Sequence, residues 1–236
     1  MAELSTKVAA IAVDFDGDSS RPASSGNNFF WRTRPELRVS NEISREWGYY
    51  APAALELAAQ STYKKGEVPL LLGGGHSLSY WMVRAAVREY GPLNMIVFDA
   101  HHDRYFERRL SHYSVMNRIQ SDFPVALVPI GNRFEDESAT QLMREPFDGA
   151  PWYISVDVDY FSPQVVASVM HSVETSGETL DVDSIRHELK AIPVGSPIVG
   201  ADIVEWMHSR STDEEIEVVE QLLTLILSTL EKQSCK

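Results

Sequence analysis

Five short runs of apolar, mostly β-branched residues constrain this chain more than anything else in it: Val8 to Val13, Val68 to Leu72, Met95 to Phe98, Val125 to Ile130 and Trp152 to Val158. Each is bounded by turn or charged residues and lacks the polar alternation of a strand with one wet face, so each reads as a strand buried on both sides. Pro197 to Val204 reads as a further one. Helical patterns lie between them, roughly over Ala51 to Ala59, Ser77 to Tyr90 and Ser184 to Ala191, and a long amphipathic helix closes the chain. Thr212 is its expected N-cap, Glu215 completes a capping box, and apolar side chains run from Ile216 to Leu230. Strands alternating with helices predict an α/β fold, a mainly parallel β-sheet with helices on both faces. Gly17 to Asn41 and Pro163 to Asp183 are turn-rich and polar and read as loops within one domain spanning residues 1–236, a size common for single α/β domains.

Charge and cysteine usage narrow the partners. With 21 basic and 34 acidic residues the net charge is −13, which argues against nucleic acid and suits a cationic substrate, although solubility alone explains many acidic chains. The single Cys235 excludes a disulfide framework and points to a reducing compartment. The opening MAELSTK has no signal-peptide character, and no apolar run approaches the ~20 residues of a membrane span, so a cytoplasmic protein without membrane contact is expected.

In parallel sheets ligands bind beyond the carboxyl ends of the strands, and here those ends carry metal-ligand residues. Leu70 to Leu72 runs into Gly73-Gly74-Gly75-His76-Ser77, Ile96 to Phe98 into Asp99-Ala100-His101-His102-Asp103, and the run from Trp152 into Asp157-Val158-Asp159. Alternation along an extended backbone puts Asp99, His101 and Asp103 on one side and His102 on the other, where a structural role is its reading; Asp157 and Asp159 form a second pair. Four crowded carboxylates repel unless cations neutralise them. Two imidazoles and four carboxylates exceed one four-coordinate zinc and favour a harder ion, so two Mn2+ bridged by shared carboxylates, able to activate water for hydrolysis, are expected. Each segment alone is as easily a cap, a turn or a bend; their recurrence at three strand ends carries the reading.

GGGHS (Gly73 to Ser77), DAHHD (Asp99 to Asp103), SVDVDYFSP (Ser155 to Pro163) and GADIVEW (Gly200 to Trp206), in that order, resemble the ureohydrolase family, the arginase and agmatinase group. The resemblance implies an arginase-like, three-layer α/β/α fold, two manganese ions and hydrolysis of a guanidino carbon–nitrogen bond with release of urea. Matched position by position, it implies one manganese site from His76, Asp99, Asp103 and Asp157 and another from Asp99, His101, Asp157 and Asp159, with Asp99 and Asp157 bridging. It also places Glu205 as the acid that grips the guanidinium and His112 as the proton-shuttling histidine, and suggests a homo-oligomer.

The chain departs from the family pattern at Gly75 and Ser162, where aspartates are usual, which bears on the support of the ligands rather than on the ligands themselves. Asp103 and His112 are only nine positions apart, and Arg104, Phe106, Arg108 and Arg109 lie between them. The arginase loop that holds the free amino acid's ends is longer. A shortened clamp suits an arginine carried on a peptide, as in the peptide arginases that make ornithine during ribosomal peptide maturation; free arginine, agmatine or another small guanidine is the alternative substrate. A phosphoesterase would need basic groups beside the metals, for which Arg104, Arg108 and Arg109 are the local candidates, and a one-zinc deacetylase would leave ligands unused. An inactive metal- or peptide-binding homologue is the non-enzyme reading. His171, His187 and His208 read as surface residues. Asp14 and Asp16 read as a turn or the mouth of the site, and Trp31, Tyr49 and Tyr50 as core or cover for a cation.

Overall fold

A computed structural model describes residues 7–13, 37, 39–43, 51–133, 144–169, 173 and 179–232. Asp14, Asp16, Trp31, Tyr49, Tyr50, His171 and Cys235 lie outside the described residues. The strands are β1 (Val8–Val13), β2 (Val39–Ile43), β3 (Val68–Leu72), β4 (Leu93–Phe98), β5 (Val125–Ile130), β6 (Trp152–Asp157) and β7 (Ile198–Val204). They form one seven-stranded sheet in the order β2-β1-β3-β7-β6-β4-β5. Every pairing is parallel, as the unbroken apolar runs predict. The helices are α1 (Ala51–Lys64), α2 (Ser79–Tyr90), α3 (Val115–Asp122), α4 (Val182–Glu188) and α5 (Asp213–Lys232).

Strand alternation divides the core in two. Leu70, Leu72, Ile96, Phe98, Ile154 and Val156 point to the layer containing α4 and α5. Leu71, Met95, Val97 and Tyr153 point to the layer of α1, α2 and α3. The result is the three-layer α/β/α arrangement. Thr212 and Glu215 form the expected reciprocal cap of α5, and the Glu215 carboxylate also accepts the Ala167 and Ser168 amides, tying the helix start to the loop after β6. Among the described residues, no helix is long and apolar enough to cross a membrane.

Two elements escaped the sequence pattern. β2, VSNEI, begins inside the stretch assigned to a loop ending at Asn41; as an edge strand paired only with β1 it buries just Ile43, so the continuous apolar signal is missing. α3 has only eight residues, and its buried Val115, Met116 and Ile119 give one turn of periodicity, too little to stand out.

Topology gathers what the sequence scatters. β3, β7, β6 and β4 are consecutive neighbours at the middle of the sheet. With ~4.8 Å between strands, their carboxyl ends fall within roughly 14 Å of one another. Those four ends carry His76, Glu205, Asp157 and Asp99.

Candidate metal centre

At the end of β3, Gly73 and Gly74 take φ values of 84° and 79°, which side-chain-bearing residues rarely adopt. The turn they make is stitched to β7: the Gly73 amide donates to the Ile203 carbonyl at 2.8 Å and the Glu205 amide to the Gly74 carbonyl at 2.9 Å. Gly75 is extended, at φ −79° and ψ 157°, a conformation open to any residue. The chain then enters the turn His76–Leu78, with the His76 ring wholly buried.

Three carboxylates meet that ring. His76 Nδ1 lies 3.1 Å from Asp99 Oδ2, 3.0 Å from Asp103 Oδ2 and 3.3 Å from Asp157 Oδ2. Such separations are those of adjacent ligands around an octahedral ion with ~2.1 Å bonds. His76 Nδ1 and Asp99 Oδ2 are nevertheless buried without a hydrogen-bond partner. Donor atoms that converge on one point in this way fit a cation between them.

Beside this group lies a second. His101 Nδ1 is 2.7 Å from Asp159 Oδ2 and 3.6 Å from Asp99 Oδ1. Two clusters could therefore hold an ion, His76-Asp99-Asp103 and Asp99-His101-Asp159, and Asp99 belongs to both. Asp157 reaches the first through His76 and the second through its Oδ1, which accepts the Asp159 amide at 2.9 Å. Backbone amides orient the other carboxylates: that of His101 donates to Asp99 Oδ1 at 2.6 Å and that of Ala100 to Asp159 Oδ1 at 3.1 Å.

Among the described residues only Asp103, at φ 48°, and Glu205, at φ 64°, are non-glycine residues with positive φ. Each such conformation costs about 1–3 kcal/mol and persists only where surrounding bonds impose it. The Asp103 carbonyl accepts the Met116 amide at 3.0 Å, and Glu205 Oε1 accepts the His76 amide at 2.7 Å. His112 opens the turn His112–Ser114, which packs against the His76–Leu78 turn, and its ring lies 3.9 Å from that of Tyr113. The site thus brings His76, Asp99, His101, Asp103, Asp157, Asp159 and Glu205 together, with His112 on a neighbouring turn.

Some supporting residues went unread in the sequence. His76 Nε2 meets Ser155 Oγ at 3.1 Å, and that hydroxyl donates to Asp202 Oδ1 at 2.6 Å. Arg133 bonds to the carbonyls of Asp159, Tyr160, Phe161 and Val173, which steadies the turn that carries Asp159. Ser162, by contrast, was marked in the sequence as a departure bearing on ligand support, and it ties its loop to Leu180 by hydrogen bonds in both directions. An ionisable residue, Asp202, inside the apolar run of β7 was the available signal; Arg133 gave none. His102 is buried and accepts the Arg104 amide, His187 is exposed, and His208, read as a surface residue, is half-buried with its ring 5.3 Å from Trp206.

Crowding sets the protonation of the metal-free site. Burial, then the Asp99 charge, pushes Asp103 up to about 7. Burial, then Asp159, raises Asp157, while burial and Asp99 raise Asp159. Burial works the same way on Asp99, but the neighbouring His101 and His76 imidazoles prevail and hold it at about 2. Burial opposes charge on both imidazoles, yet Asp159 and Asp99 lift His101 to about 11 and the carboxylates around His76 lift it as well. At neutral pH the empty cluster therefore holds protons that an incoming cation must displace. Manganese binding is expected to release protons and to tighten as pH rises from about 6 to 8, through the Asp103 range. Calorimetry in buffers of different ionisation heat measures this, and proton-neutral binding across that range would contradict it.

Residues 41–148 match the Arginase family. Arginase 1, mitochondrial, of Arabidopsis thaliana is 33% identical over 173 residues, a stretch covering 61% of this chain and 49% of that protein. The chain thus spans about half the length of the curated relatives it matches. Among solved structures, arginase from Medicago truncatula superposes with a TM-score of 0.80 at 21% identity, covering 96% of this chain and 88% of that one. A putative agmatinase from Clostridium difficile gives 0.78 at 18% identity, covering 98% and 99%. In its four ordered motifs, its parallel sheet and this sequence match, the chain is similar to the arginases and agmatinases of the ureohydrolase family.

Proposed function

We propose that this chain is a single-domain, dinuclear manganese ureohydrolase whose substrate is an arginine side chain carried on a peptide, converted to ornithine with release of urea. The observation that supports it most is the convergence of His76 Nδ1 with three carboxylates, on a residue whose backbone amide donates to Glu205 Oε1 at 2.7 Å. His76, Asp99, Asp103 and Asp157 hold one ion; Asp99, His101, Asp157 and Asp159 hold the other. Bound there, two divalent ions supply Lewis-acid polarisation and a hydrolytic nucleophile at neutral pH.

The remaining work falls to the chain's own groups. A guanidinium is always charged and its carbon is a poor electrophile, so it must be held firmly in line with attack. Glu205 binds it by charge-assisted hydrogen bonds and orients the plane of the group. When water adds at the guanidinium carbon and the bond to the side-chain nitrogen breaks, that nitrogen leaves as an amine, and His112 delivers its proton. The other product is urea.

The peptide reading draws on the segment from Asp103 to His112. Its ends are tied together by the Tyr105 amide donating to the Tyr113 carbonyl at 2.9 Å, and it leaves Tyr105, Phe106 and Tyr113 exposed, Phe106 by 91%. Such a short, aromatic rim suits an extended chain laid across the opening better than a clamp on a free amino acid. Urea release from the manganese-loaded protein, supplied in parallel with arginine, agmatine and an arginine-containing peptide, is expected to be fastest with the peptide by at least about tenfold in kcat/KM. Release from a free guanidine alone would end the peptide assignment. No urea from any of the three, with two ions bound, would leave an inactive binding homologue.

A further inference from the structure

Tyr153 has no part in the chemistry above, although it is wholly buried on the strand that carries Asp157. We propose that it is a positioning residue that fixes the tautomer of His76 through Asp202 and Ser155, and so sets how tightly the His76 end of the site holds its ion. The proposal rests on the dinuclear reading of the site.

Register brings the parts together. Pairing of β6 with β7 sets Tyr153 opposite Gly200 and Ser155 opposite Asp202. Because position 200 has no side chain, the Tyr153 ring lies across it; a Cβ there would come within 2.7 Å of that ring. The phenol thereby reaches the diagonal neighbour and donates to Asp202 Oδ2 at 2.9 Å. The other carboxylate oxygen, Oδ1, takes the Ser155 hydroxyl proton at 2.6 Å. Ser155 Oγ lies 3.1 Å from His76 Nε2.

Counting protons along this line fixes the imidazole. A hydroxyl has one proton, and that of Ser155 is committed to Asp202. Toward His76 its oxygen can only accept, so Nε2 carries the hydrogen. In the neutral ring the lone pair is then on Nδ1, the nitrogen that faces Asp99, Asp103 and Asp157 and the one a metal needs. The phenol holds the carboxylate in the orientation that keeps Ser155 donating away from the histidine. Without it, Asp202 Oδ2 loses the phenol's hydrogen bond and the carboxylate is held less firmly in that orientation.

Tyr153→Phe removes one oxygen and keeps the ring. Manganese titration followed by the electron paramagnetic resonance of the free ion is expected to show one of two sites weakened by roughly 10- to 100-fold and the other unchanged. Ser155→Ala should weaken the same site. The double variant should lose no more than Ser155→Ala alone, since both changes interrupt one line, whereas a packing role for Tyr153 would lower the melting temperature and add its effect to that of the serine. Binding of both ions by Tyr153→Phe within about threefold of wild type, or strictly additive losses, would overturn the proposal. Failure of the wild-type protein to bind manganese would instead remove the dinuclear reading and this inference with it. Two bound ions without urea release would refute the hydrolase and leave the positioning role intact.

Discussion

Asp99→Asn protein is expected to purify with little or no manganese and to release urea at least about 1,000-fold more slowly than wild type from any guanidine. Asp99 is the residue common to the two candidate clusters. One of its oxygens faces His76 at 3.1 Å and the other faces His101 at 3.6 Å, so in the proposed dinuclear site a single carboxylate would serve both ions. It is also the one of the four carboxylates whose pKa falls in the empty site, because the neighbouring His101 and His76 imidazoles outweigh the penalty of burial and hold it at about 2. Asparagine keeps the shape, removes the charge and turns one acceptor into a donor. A pKa lowered on folding means that the ionised Asp99 stabilises the fold at neutral pH, so the metal-free variant should melt below the metal-free wild type. Metal analysis, a melting curve and urea release on the same sample separate loss of ligation from loss of structure. Full metal content with full urea release would remove Asp99 from the bridge.

The sheet was legible because its interior strands are buried on both faces, which writes an unbroken apolar run into the sequence; β2, at the edge and paired once, carries no such mark. The candidate ligand residues were legible for a related reason. Asp99 and Asp157 stand where apolar runs stop, and a charge at that place has few structural uses. Two things could not be read along the chain. The adjacency of β3, β7, β6 and β4 depends on crossovers that insert late strands between early ones, so only the fold brings Glu205 against the His76 amide. The line from Tyr153 to His76 depends on the register of β6 with β7, which sets Ser155 against Asp202 although 47 positions separate them. Residue types mark candidate ligands; register and strand order decide which polar groups lie against them.

Glu205→Gln tests the other half of the function, recognition of the cation, and is expected to lower kcat/KM by on the order of 10² to 10³ while both ions stay bound. The backbone at Glu205 is held at φ 64°, a conformation costing about 1–3 kcal/mol, by its amide bond to Gly74 and by the bond from the His76 amide to its side chain. Glutamine retains a carbonyl oxygen to accept that amide, so His76 and the cluster around it should remain in place. The variant lacks the negative charge. Against a permanently charged guanidinium, loss of one desolvated charge pair costs about 3–4 kcal/mol, which gives the stated factor. The sign of the effect also discriminates between reactions: an anionic phosphate ester would be bound better, not worse, once the carboxylate is neutral. The required measurements are metal stoichiometry alongside urea kinetics over a range of substrate concentration. If ions and activity disappear together, Glu205 acts through His76 and not on the substrate; if kcat/KM stays within about tenfold of wild type, the guanidinium is gripped elsewhere.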